Sequence, residues 1–208
     1  VLEAARVMAG APVELIAIDM PISEVPISSR RIADNAVSQE FGRRLCSAHS
    51  PNSARPGKLG RLMTDELAEA GYPISTKAIS SPRSLIEVYP HPALLSLLKR
   101  ESRIPYKVSK SKKYWRNDDI PTRIRNLLYE FTSIQSALEL QLGPLDIVLP
   151  DPRTTTRLSS LKRYEDALDA LVCAWVGIEH LLGRTTPLGN DDAAVWCPTN
   201  VIRGLKNS

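Results

Sequence analysis

The 208-residue chain has only three cysteines, Cys46, Cys173 and Cys197, far apart and odd in number. No Cys-x-x-Cys pair exists, so neither a zinc ribbon nor a disulfide framework is supported. A reduced, cytoplasmic setting is the simpler expectation. No apolar run reaches the length of a membrane span, so no membrane association is expected. Nothing at the start reads as a secretory leader. Gly57-Lys58 lacks the preceding glycine of a phosphate-binding loop. There is no Gly-x-Ser-x-Gly and no convincing Ser/His/Asp or Cys/His arrangement for nucleophilic catalysis. No internal repeat or low-complexity tract occurs.

What is present is globular. The chain is 43% hydrophobic and 24% charged, as in folded proteins, and long enough to bury a core without staples. Residues 1–208 read as one domain. The formal charge of +4 is compatible with nucleic acid but weak as a signal. Its distribution says more. Residues 99–116 carry Lys99, Arg100, Arg103, Lys107, Lys110, Lys112, Lys113 and Arg116, with Tyr106, Tyr114 and Trp115 interleaved. Phosphate contacts and base stacking use such a set. A solvated basic loop has the same composition.

The hydropathy pattern predicts helices over 1–9, 30–41, 59–70, 92–99, 120–142 and 164–182. Strands are predicted over 13–19 and 84–89, with a possible short strand at 146–149 and an edge strand at 193–197. Strands alternating with helices indicate α/β or α+β architecture.

The chemistry concentrates in acidic residues. Asp166 and Asp169 stand three apart on an otherwise apolar helix, so they share one face. Two like charges near a buried surface repel and are costly to desolvate, and a divalent cation between them removes both costs. Placement in an exposed first turn, favouring the helix N-terminus electrostatically, is the plainer alternative. Asp19 ends an apolar strand, where ligands bind in open α/β sheets; a turn residue is its plainer role. Glu87 is the one charge in a second apolar strand, and either a site residue or a solvated edge glutamate. His91 follows between two prolines, where packing roles are common. Arg30 and Arg31 oppose the helix dipole, which an anion or a carboxylate would explain.

Five segments occur in a telling order: Ile16-Ala17-Ile18-Asp19-Met20-Pro21-Ile22, Ser29-Arg30-Arg31-Ile32-Ala33-Asp34, Ile86-Glu87-Val88-Tyr89-Pro90-His91, Tyr106-Lys107 and Asp166-Ala167-Leu168-Asp169-Ala170-Leu171. This order resembles the predicted RNase-H-like nuclease family catalogued as domain of unknown function family 429, over about residues 15–196. The closing Asp-x-x-Asp-Ala helix also resembles that of Holliday-junction resolvases of the same fold. The resemblance implies an α/β, RNase-H-like mixed sheet flanked by helices, with a carboxylate cluster binding Mg2+ or Mn2+. It places Asp19 at the end of the fourth strand and Asp166 and Asp169 on the last helix as metal ligands. Glu87, His91, Arg30 and Lys107 match recurrent polar positions. It also implies a three-stranded hairpin, with a further aspartate, before the first helix. Val1 begins in that helix, so the sequence is expected to be N-terminally incomplete.

The expected function is divalent-metal-dependent phosphodiester hydrolysis. Asp19, Asp166, Asp169 and Glu87 would be catalytic, and Arg30, His91, Lys107, Lys112 and Lys113 would bind substrate, DNA or RNA. A non-catalytic nucleic-acid-binding module and a metal enzyme acting on a phosphorylated small molecule are the alternatives.

Overall fold

The computed structural model describes residues 2–77 and 83–202. Val1, expected to open the first helix, lies outside the described residues. The helices are α1 (Leu2–Ala9), α2 (Ile32–Phe41), α3 (Lys58–Glu69), α4 (Pro90–Leu97), α5 (Ser111–Tyr114), α6 (Ile120–Leu142) and α7 (Lys162–Leu181). The strands are β1 (Leu15–Ile18), β2 (Ser84–Val88), β3 (Thr185–Gly189) and β4 (Ala194–Pro198), ordered β1-β2-β4-β3 in one sheet. β1, β2 and β4 run parallel; β3 joins β4 antiparallel. The fold is therefore α/β with a mixed sheet flanked by helices.

Burial follows the strand order. Every residue of the central strands β2 and β4 is buried, whereas β1 and most of β3 are half-buried at the two edges. Apolar strands covered on both faces are typical of parallel sheets. α7 packs along β1, β2 and β4, and α6 and α4 pack against α7. At Gly177 the backbone of α7 faces β1 so closely that a methyl group would touch Leu15 and Ala17, at 3.4 and 3.5 Å. α6 presents Ile124, Leu127, Leu128, Phe131, Ile134 and Leu138 to the core, the spacing of one helical face. Its start is fixed locally, with Asp119 Oδ1 accepting the Thr122 N–H at 2.8 Å and Pro121 in the first turn. A smaller cluster packs Ile22, Tyr72 and Leu85 against Leu2, Ile16 and Leu67. There α3 approaches the segment after β1: a Cβ on Gly60 would fall 2.7 Å from the Pro21 carbonyl oxygen.

Two strand expectations are corrected. Residues 146–149 are irregular. The strand expected at the sheet edge is β4, an interior strand between β2 and β3. β3, with Pro187 and two threonines, supplies that edge. Proline fits there because an edge strand leaves one row of N–H groups unused.

A buried ionic knot ties α2 to the sheet. The Arg31 guanidinium donates to Glu87 Oε2 at 2.6 Å and Oε1 at 2.7 Å, and to Asp34 Oδ1 at 2.7 Å. It also reaches the Ile22 carbonyl at 2.7 Å, while the Ile22 N–H donates to Glu87 at 3.0 Å. The side chains of all three charged residues are less than a tenth exposed. Removing one member of such a set strands the others. Arg31→Ala is expected to cost about 3–5 kcal/mol of stability, read from urea denaturation; a loss below about 1 kcal/mol, typical of an exposed pair, would contradict this account.

Candidate functional site

Asp19 follows the last residue of β1. Parallel pairing aligns Ile18 with Glu87, so the carboxyl ends of β1 and β2 lie side by side. Because α7 runs along β1, its first turns reach that same end. Asp19, Asp166 and Asp169 accordingly line one cleft of about 330 Å³, with Ala17, Ile18, Ala170 and Cys173. The three aspartates expected to act together do meet.

The structure adds Glu165. One carboxylate oxygen from each of Glu165, Asp166 and Asp169 lies within 4.8 Å of the others. Glu165 is 3% exposed and Asp169 8%, while Asp166 faces solvent. Glu165 and Asp169 are four apart, one helical turn, so both point inward. That spacing was readable in the sequence beside the pair at 166 and 169.

Protein groups hold these carboxylates in place. Tyr106, fully buried, donates its hydroxyl to Asp169 Oδ1 at 2.6 Å. Lys107 Nζ binds Asp169 Oδ2, lies 3.6 Å from Glu165 Oε1, and stands over the Tyr106 ring at 4.7 Å. Lys162 Nζ bridges Glu165 at 2.9 Å and Asp166 at 2.5 Å. The Val108 N–H takes the other Glu165 oxygen at 2.7 Å. Glu165 is thus committed to backbone and lysine. Asp19 and the outer oxygen of Asp166 face the cleft with fewer partners.

The electrostatics follow from crowding. Asp19 is solvent-facing at the cleft mouth, yet dense surrounding protein pushes its carboxyl up to about 6, with repulsion from Asp169 adding to the rise and Lys107 opposing it. Burial likewise raises Asp169, against Lys107 and Tyr106. Both signs indicate carboxylates crowded by protein, with each other's charge adding to the cost of ionisation. An all-oxygen set of this kind suits a hard divalent cation such as Mg2+ or Mn2+. The Cys173 thiol in the same cleft is pushed well up, by burial first and then by Asp19 and Asp169. It stays protonated and is no nucleophile.

Of the other predicted residues, Lys107 joins the cluster through Asp169, and the rest do not line the carboxylate cleft. Glu87 is spent on Arg31 and the Ile22 N–H. Arg30 donates to Asn35, Ser50, Ser38 and the carbonyls of Ala48 and Asp34, which pins the loop after α2. Lys112 and Lys113 are exposed on α5. His91 is buried between the Tyr89 and Tyr106 rings, at centroid distances of 5.4 and 5.3 Å. It lines a neighbouring cavity that shares Asp19 with the cleft.

Residues 2–194 match the model of the family described as Protein of unknown function (DUF429), and the chain belongs to that family. No curated protein and no solved structure matches it.

The raised Asp19 carboxyl has a measurable sign. The folded state binds that proton more tightly than the unfolded chain, whose value is near 3.8. Its contribution is therefore fully present below pH 3.8 and lost as pH rises through about 6. In metal-free buffer, Asp19→Asn is expected to unfold at a higher temperature than the wild type above pH 6, and the gap is expected to close towards pH 4. A gap that is absent at neutral pH, or that widens on acidification, would refute the assignment.

Proposed function

We propose that this DUF429 protein is an RNase-H-like, divalent-metal-dependent nuclease of the cytoplasm that hydrolyses phosphodiester bonds in nucleic acid. The observation that carries this reading is the convergence of Asp19, Asp166 and Asp169 on one cleft at the carboxyl end of a parallel strand, where α/β sheets place their ligands. The donor set fits Mg2+ or Mn2+, and Asp19, Asp166 and Asp169 are the residues that would hold it.

When bound, the cation supplies an activated water and charge stabilisation for the leaving oxygen. The chain's own groups prepare the rest. Tyr106 fixes one oxygen of Asp169 and Lys107 holds the other, so the Lys107 contact is the one a cation would replace. Lys107 and Lys162 neutralise the cluster before a cation arrives, which lets like charges fold together. They are also well placed to turn towards a phosphate once the carboxylates are otherwise occupied. Lys107 reaches the cluster through Asp169 and Lys110 lines the neighbouring cavity, and with Lys112, Lys113 and Arg116 they would supply electrostatic attraction for a phosphate backbone. Glu87 contributes through Arg31, by holding the turn after Asp19 rather than by contacting substrate. Among the described residues no helix is long and apolar enough to cross a membrane.

Asp169→Asn keeps the size of the side chain and an oxygen for Tyr106. It is expected to abolish Mg2+- or Mn2+-dependent cleavage across a panel of single- and double-stranded DNA and RNA, while the far-ultraviolet circular dichroism spectrum is unchanged. Salt-sensitive binding with no metal-dependent turnover in the wild type would point to a binding module instead. Turnover confined to phosphorylated small molecules would point to a different enzyme class.

A further inference from the structure

Beside the carboxylate cleft lies a second cavity of about 260 Å³, and Asp19 forms part of the wall of each. Its other lining residues include His49, Tyr89, His91, Arg103, Lys107 and Lys110. Lys107 is paired with Asp169. Arg103 and Lys110 are not: among the described residues neither forms an ion pair.

Arg103 is the more telling. It is half-buried, and its Nε–H is buried with no acceptor. One terminal nitrogen meets His91 Nε2 at 2.5 Å. His91 is neutral, its value pushed down to about 2 by burial first, then by Arg103 and Lys107. Its Nε2 is thus free to accept from the guanidinium, which puts the ring proton on Nδ1, a buried atom that has no partner of its own. A neutral imidazole orients Arg103 without cancelling its charge. Arg123 also has a buried Nε–H without an acceptor but does not line this cavity, whereas two other inward-facing guanidiniums are answered within the protein. Arg31 has two carboxylates, and Arg44 donates to the carbonyls of Glu101, Val201 and Arg100. An inward-facing cation without a counter-charge is costly unless an anion completes it.

We propose that this cavity binds a dianionic phosphoryl group, the terminal phosphate of a nucleic-acid strand, between Arg103 and Lys110. The charge count favours a monoester. The wall sets Arg103, Lys107 and Lys110 against one carboxylate, Asp19, and that surplus of positive charge suits a group carrying about −1.5 to −2 at neutral pH better than an internal diester with one negative charge. Arg103 supplies the planar fork that suits a phosphate, and Lys110 a mobile point charge. Because Asp19 borders both cavities, a strand anchored here by its end places its first linkages at the carboxylate cleft. The inference rests on the nuclease reading for the meaning of that end, but the binding itself does not.

The test uses the full chain in EDTA, so that no metal contributes to binding. Isothermal titration with inorganic phosphate is expected to show saturable binding, weakened about tenfold or more by Lys110→Glu and by Arg103→Gln, consistent with the loss of a charge-assisted contact. Lys110 is exposed, so its variant remains informative if Arg103→Gln unfolds. Oligonucleotides bearing a 5′- or 3′-terminal phosphate are then compared with hydroxyl-ended ones and with a free mononucleotide. Preference for one phosphorylated end over the hydroxyl form supports the proposal. Absence of phosphate binding in EDTA, binding unaltered in Lys110→Glu, or capture of the mononucleotide alone overturns it. Phosphate binding without any metal-dependent cleavage leaves this site in place and removes the nuclease reading.

Discussion

Four carboxylates, Asp19, Glu165, Asp166 and Asp169, converge where β1 ends and α7 begins, and their mutual repulsion is the constraint around which this end of the molecule is arranged. Burial raises both Asp19 and Asp169, and the neighbouring carboxylates, Asp169 beside Asp19 and Glu165 beside Asp169, add to the rise. Lys107 from within the fold and Lys162 from its surface answer part of the charge. Tyr106 and the Val108 N–H take further oxygens. Those contacts require the chain after α4 to return across the sheet and lay residues 106–108 on α7. The basic cavity beside the cleft is a by-product of the same return, since Arg103, Lys107 and Lys110 come with it.

The opposite side of β2 is organised by a different charge solution. Arg31 joins Glu87 and Asp34 in a set that is closed on itself. Its donors and acceptors are matched, so it has no evident capacity for a ligand. The two acidic centres thus divide the work: one is complete and holds α2 and the turn after Asp19, and the other is incomplete and open to solvent. Completeness of hydrogen bonding, more than the presence of charge, separates a structural site from a candidate functional one.

Local signals were legible in the sequence and long-range ones were not. α6 begins and ends as its pattern predicts because Asp119, Pro121 and Gly143 are adjacent to it. The paired aspartates of α7 were visible from spacing alone, and Asp19 from its place after an apolar strand. β3 was missed because Thr185, Thr186 and Pro187 have no strand pattern, and only pairing with β4 makes them one. Tyr106 read as a stacking aromatic of a basic loop, whereas it is buried with its hydroxyl on Asp169, 63 residues away. Arg103 read as one cation of a basic set, suited to phosphate contacts or to a solvated loop. Its lack of an ion pair among the described residues is a property of packing that no spacing encodes. Glu87 read as a site residue because its partner Arg31 lies 56 residues earlier.

The central claim is that the carboxylates at the end of β1 and the start of α7 form one divalent-cation site. Paramagnetic broadening by Mn2+ tests it most directly, on protein labelled at its carboxyl carbons. The account predicts selective loss of the Asp19, Asp166 and Asp169 signals at low Mn2+, with Glu87 and Asp34 retained, and recovery of the lost signals by excess Mg2+. Uniform weak broadening across exposed carboxylates, or broadening that spares Asp19 and Asp169, would contradict it.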